Sequence, residues 1–122
     1  MVTVQAIKEI DRQKIAVLDS GINVLGSPHE EVIALKTRKE TSQYRLIGPL
    51  CFPSDCIARR IVLPMLETGD KLLILNCGAY TISNSWQFIK TRPPVFLIQS
   101  NGVSRIIRRK EELEDMTVLD QK

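Results

Sequence analysis

Apolar residues along this chain fall into short runs, each stopped within a few positions by glycine, proline or a polar cluster. The first clear run is Lys14-Ile15-Ala16-Val17-Leu18. It is β-branched and aliphatic, it halts at Asp19-Ser20-Gly21, and it predicts a strand followed by a turn or loop. Gly21, Gly26 and Pro28 then predict a loop with a specially shaped backbone. Residues 31–39 contain Val32-Ile33-Ala34-Leu35, which suits helix or strand. The short room before Thr41-Ser42-Gln43 favours strand, with residues 44–47 as a second strand and possible hairpin partner. Pro49, which has no amide donor, ends that strand. Residues 64–70 read as a loop ending in a tight turn, and 71–75 as a strand. The latter lacks strict alternation, as a strand covered on both faces does. Residues 78–86 suit one helical turn, and Thr91-Arg92-Pro93-Pro94 a stiff connector. Residues 95–99 and 103–109 flank Ser100-Asn101-Gly102, and Asn-Gly between β-branched runs is the strongest hairpin signal in the chain. Residues 110–116 predict a short terminal helix.

Some half-dozen short strands with Gly/Pro turns predict a mainly β fold: a small β-barrel or sandwich with one or two short helices. At 122 residues the expectation is one domain over 1–122, large enough to hide about 65% of the surface its unfolded chain exposes. The composition, 43% hydrophobic and 25% charged, is that of a globular protein. A net charge of +3 is too small to argue for nucleic acid, and no apolar run nears the ~20 residues of a membrane span. Residues 1–10 mix Lys8 and Glu9 with apolar residues, unlike a signal peptide, so a cytoplasmic protein with free thiols is expected. Cys51 and Cys56 have the wrong spacing for a zinc knuckle, and the single histidine does not complete a metal site.

Candidate chemistry is concentrated between Gly48 and Phe88. Gly48-Pro49-Leu50-Cys51-Phe52-Pro53-Ser54-Asp55 carries a thiol and a carboxylate four positions apart, and Gly78-Ala79-Tyr80-Thr81 carries a phenol two residues after a glycine. Taken alone, each has a plainer reading. Cysteines are commonly small buried hydrophobes, Tyr80 suits a core tyrosine with a tethered hydroxyl, and Asp55 suits a turn cap. Arg105, Arg108, Arg109 and Lys110 suit a solvated strand face, or RNA contact by an oligonucleotide-binding barrel. The 5% aromatic content argues against the latter.

The order G-P-L-C-x3-D, G-D, G-A-Y-T, Phe88, R-P-P and an Asn-Gly hairpin resembles one family across residues 18–115: the C-terminal domain of the fold-III pyridoxal-phosphate decarboxylases, the ornithine, diaminopimelate and arginine decarboxylase group. The resemblance implies pyridoxal phosphate as cofactor and a two-domain subunit in a dimer. An N-terminal (β/α)8 barrel, not part of this chain, would hold the cofactor's lysine, its phosphate loop and the acid facing its ring nitrogen. On the matching positions, Tyr80 would bind the cofactor phosphate, and Cys51 would be lent to the site of the facing subunit. Asp55 would lie near the dimer interface, and Phe88 would line the pocket.

Thiol acidity tuned by neighbours suits delivery of a proton to the substrate's α-carbon. Family members acting on diamines or diaminopimelate often carry Asp or Glu directly after this cysteine. Here Phe52 stands there and cannot pair with an ammonium group, which implies a substrate whose far end is not a free amine. Decarboxylases of acylated amino acids in siderophore or peptide-antibiotic pathways are similar in that respect. The expectation is a part or subunit of an amino-acid decarboxylase, inactive alone and partnered by the (β/α)8 barrel, in a homo-oligomer. The alternatives are a non-catalytic decarboxylase-like binding module and an RNA-binding barrel. In the family the small barrel also borrows a strand from the start of the full-length chain, so exposed apolar surface and self-association are expected here.

Overall fold

A computed structural model describes residues 1–26, 29–51 and 53–120. Among the described residues, eight strands and two short helices follow one another. They are β1 (Val2–Ile10), β2 (Gln13–Leu18), α1 (Ile22–Leu25), β3 (Val32–Ala34), β4 (Thr41–Ile47), β5 (Cys56–Pro64), β6 (Lys71–Ile74), β7 (Val95–Ile98), β8 (Ser104–Arg108) and α2 (Leu113–Met116). The expected mainly β fold with two short helices is what forms. Two compact units are distinguished along the chain, Met1–Ser85 and Trp86–Lys122.

In the first unit six strands make one sheet in the order β3-β6-β1-β2-β4-β5. Its two edge strands, β3 and β5, approach each other, so the sheet curls into a nearly closed barrel. Alternation fills the inside: Val2 and Val4 from β1, Ala16 and Leu18 from β2, Tyr44 and Leu46 from β4, and Leu72 and Ile74 from β6 form one buried cluster. The Tyr44 hydroxyl is satisfied within it by accepting the Leu66 N–H at 3.0 Å.

Several expectations are corrected. Residues before Lys14 form a strand of their own, and β1 and β2 are a hairpin. Its two-residue turn, Asp11-Arg12, has φ of 49° and 63°, the left-handed pair a tight hairpin requires, but lacks the glycine that usually announces it. The loop expected after Gly21 contains the single turn α1. Residues 31–39 yield only the three-residue β3, and its partner is β6, not β4. Strand β4 pairs in parallel with β2 and antiparallel with β5. The chain crosses between the two halves of the sheet at Arg38. Its guanidinium reaches the Met65 carbonyl (2.6 Å), Asp70 (2.6 Å) and Glu67 (2.7 Å). Strand β6 does alternate, with Leu72 and Ile74 inward and Leu73 only half-buried on the other face. The helical turn expected in 78–86 is a series of hydrogen-bonded turns instead.

The second unit is the β7–β8 hairpin, closed as expected at Asn101-Gly102, with α2 behind it. Glu111 ties its base together: the carboxylate accepts the Arg92 guanidinium at 2.8 Å, the Arg92 N–H at 3.0 Å and the Gln87 amide at 3.1 Å. Arg109 forks onto Asp115, with both contacts at 2.6 Å, and Asp115 caps the start of α2. Phe96, Ile98, Ile106, Ile107, Leu113 and Val118 are all exposed. A two-stranded hairpin of this kind has little stability of its own.

Candidate functional site

The loop between β4 and β5 holds its shape through one buried carboxylate. Asp55 is 3% exposed. One of its oxygens accepts the Leu50 N–H at 2.7 Å and the other the Ile22 N–H at 2.9 Å, and its own carbonyl accepts the Gly48 N–H at 3.1 Å. Room for the carboxylate comes from Gly21 and Gly48. A Cβ on either would collide with the Asp55 oxygens, and at Gly48 also with the Gly21 backbone. Sequence reading singled out neither glycine for this purpose. The signal lay in two glycines far apart in sequence, and only the fold brings them to one acid.

Cys51 sits at the outer end of this latched loop, one residue past Leu50, and its thiol is exposed. Cys56 and Cys77 are partly buried. Phe52 lies outside the described residues. Asp55 faces into the fold, so what the structure gives it is the holding of the Cys51 loop; it presents no oxygen to solvent there.

Tyr80 stands on the run of turns after β6 and is 80% exposed. Its φ of 64° is unusual for a residue with a Cβ, and strain of that kind persists only where the surroundings enforce it. They do so at the Tyr80 carbonyl, which accepts the Asn84 N–H at 2.9 Å and the Ser83 hydroxyl at 3.0 Å. Upstream the turn is anchored by Cys77, which packs against the core. Its sulfur lies 3.7–3.8 Å from the His29 ring nitrogens, and His29 Nε2 is 2.8 Å from the Leu25 carbonyl. Burial pushes the Cys77 thiol up from its ordinary value, so Cys77 is a packing group. Among the described residues no hydrogen bond joins Tyr80 to Cys51.

Phe88 belongs to the second unit and is 43% exposed. It bridges Lys90 across Ile89, a β-branched residue held at φ 69°. Among the described residues no cluster of His, Cys, Asp and Glu is arranged to hold a metal ion, and no helix is long and apolar enough to cross a membrane.

Comparison with known proteins gives this geometry its context. Residues 1–78 match the family model of the pyridoxal-dependent decarboxylase C-terminal sheet domain. The L-glutamyl-[BtrI acyl-carrier protein] decarboxylase of Niallia circulans is 36% identical over 80 residues, 65% of this chain and 19% of that protein. The diaminopimelate decarboxylase of Helicobacter pylori is 34% identical over 122 residues, 93% of this chain and 30% of that protein. The crystal structure of diaminopimelate decarboxylase from M. jannaschii superposes with a TM-score of 0.90 at 30% identity, over 99% of this chain and 29% of that one. The chain thus spans less than a third of the length of these relatives. Tyr80 and Phe88 fall just past the matched segment of the family model, inside the longer alignments. By sequence and by fold, the chain belongs to the pyridoxal-dependent decarboxylases, as their C-terminal sheet domain.

Proposed function

We propose that this chain is the C-terminal part of a pyridoxal-phosphate-dependent amino-acid decarboxylase, acting with a (β/α)8 barrel segment and within a homo-oligomer. The observation that carries the proposal is the outward presentation of Cys51 and Tyr80, each on a turn braced from behind, in a chain of this family. A phenol this exposed fits a cofactor phosphate that another segment holds, because it needs to add only one hydrogen bond from outside. When bound, pyridoxal phosphate accepts the electron pair left behind by carbon dioxide.

This chain's residues then have separate tasks. Tyr80 donates its hydroxyl hydrogen to a phosphate oxygen and orients the phosphate. Cys51 carries the proton delivered to the substrate α-carbon. Asp55 holds the Cys51 loop at fixed height through Leu50 and Ile22. Phe88 supplies apolar surface that keeps water from the reacting carbon. Phe52, directly after the thiol, meets the distal end of the substrate and disfavours a free ammonium there. That preference is in keeping with the carrier-linked glutamyl group named for the Niallia circulans relative, and it points to an acylated amino acid.

The test is turnover by the enzyme assembled with its barrel segment. Cys51→Ala is expected to slow the decarboxylation rate by about 10²–10⁴-fold with cofactor binding unchanged. An unchanged rate removes the thiol from the reaction. Preference for plain lysine, ornithine or diaminopimelate over an acylated substrate removes the assignment to Phe52.

A further inference from the structure

The bulge between β4 and β5 builds a cationic cleft that the proposed chemistry does not use. Tyr44 pairs with Ile61 and Leu46 with Ala58, so Arg59 and Arg60 stand together opposite the single Arg45. A bulge bends its strand and re-aims side chains, and here Arg59 comes to line the same cleft as Arg45. The cleft measures about 390 Å³. Its other described walls are Pro53, Ser54 and Cys56, the returning limb of the loop that carries Cys51. No carboxylate is among the described lining residues, so nothing there neutralises the two guanidinium groups. The Nε of Arg45 is sealed from solvent with no hydrogen-bond partner among the described residues.

Two cations on one concave surface are unfavourable. One oxyanion between their outer guanidinium nitrogens relieves that. Guanidinium forks bind oxyanions in pairs of parallel hydrogen bonds, and a tetrahedral phosphate has oxygens enough for two forks and the Ser54 hydroxyl together. The cleft is also larger than a carboxylate needs.

We propose that the Arg45–Arg59 cleft binds the phosphate of a phosphate ester, and that this ester tethers the distal part of the substrate offered to the Cys51 loop. The ligand's place in catalysis rests on the decarboxylase reading; phosphate binding itself does not. It explains a feature that catalysis by Cys51 and Tyr80 leaves without purpose: two arginines gathered by an irregular strand pairing beside the proposed acid.

The test is a ¹⁵N NMR titration of this chain, following the Arg45 Nε–Hε resonance at constant ionic strength. Inorganic phosphate and phosphopantetheine are the probes, and acetate is the carboxylate control. The proposal expects a saturable shift with both phosphates, tighter binding of phosphopantetheine, and weakening of about tenfold or more in Arg59→Gln. Arg59 is exposed, so that variant keeps its fold, and circular dichroism checks it. The phosphate site is overturned by the absence of a saturable shift, by acetate matching phosphate, or by unchanged affinity in Arg59→Gln. Phosphopantetheine binding no tighter than inorganic phosphate overturns the ester tether. The readout needs neither cofactor nor turnover, so its failure is distinct from failure of the decarboxylase reading.

Discussion

The carboxylate of Asp55 accepts the backbone N–H of Leu50 at 2.7 Å, immediately before Cys51, and so an acid that never meets solvent sets where an exposed thiol stands. Its other oxygen reaches Ile22 across the fold, which makes the loop a part of the first unit's framework and not an appendage to it. Asp55→Ala leaves the amides of Leu50 and Ile22 without their acceptor. At about 1–3 kcal/mol for each buried group left unsatisfied, the loss should reach roughly 2 kcal/mol or more. Denaturant unfolding of the chain measures it. Full stability with lost activity in the assembled enzyme would give Asp55 a direct part in the reaction.

The glycines around that carboxylate allow a sharper comparison. Gly48→Ala drives a methyl group into Asp55 and the Gly21 backbone and should destabilise the chain by about 1–3 kcal/mol. Gly78→Ala, ahead of Tyr80, meets open space and should stay within about 0.5 kcal/mol of the native chain. Equal effects at the two positions would contradict the close approach at Gly48.

Thiol accessibility gives a third prediction. Cys51 is exposed while Cys56 and Cys77 are partly covered, and burial raises the Cys77 thiol. Iodoacetamide at neutral pH should therefore label Cys51 first and Cys77 slowly, as read by mass spectrometry of the digested chain. Cys77 reacting ahead of Cys51 would reverse the picture of which thiol faces outward.

Much of this was legible in the sequence, and the rest was not because it depends on unsignalled backbone geometry and on contacts between distant residues. Short apolar runs stopped by glycine and proline gave the mainly β fold, because strand length and turn chemistry are both local. The β7–β8 hairpin was visible in Asn101-Gly102. The β1–β2 hairpin was not, because Asp11 and Arg12 adopt left-handed backbone without the glycine that signals it. Strand partners also stayed hidden. That β3 joins β6 and β4 runs beside β2 is, like the Arg38 clamp to Met65, Glu67 and Asp70, a long-range relationship with no sequence period. Motif order singled out Cys51 and Tyr80 as candidates but carried no information on their exposure. For Asp55 the sequence left cap and interface open together. Arg45 and Arg59 carried no signal at all, since only a bulge in the β4–β5 register brings them to one cleft.

Acid should loosen the first unit through Asp70. The Arg38 guanidinium bonded to it holds its carboxyl below the usual range, aided by the Glu67 N–H at 2.8 Å. A carboxyl depressed on folding stabilises the folded chain above its unfolded value, near pH 3.9, and that contribution is lost as pH falls through the lower folded value. In the second unit Asp115 behaves alike: its bonds to Arg109 and to the Glu112 N–H lower it to about 2. Denaturant midpoints should therefore hold from pH 7 to about 5 and fall below pH 4, with a shallower fall in Asp70→Asn. An acid slope unchanged in that variant would remove the Arg38–Asp70 pair from the response.

The central claim is that the phenol on the turn after β6 grips a cofactor phosphate held by another segment. Its most direct measurement is the pyridoxal phosphate dissociation constant of the barrel-containing enzyme, for the native chain and for Tyr80→Phe. A single hydrogen bond to a charged oxygen is worth about 1.5–3 kcal/mol, so the variant should bind roughly 10- to 100-fold more weakly, with its fold intact. Equal dissociation constants for the two would contradict the claim.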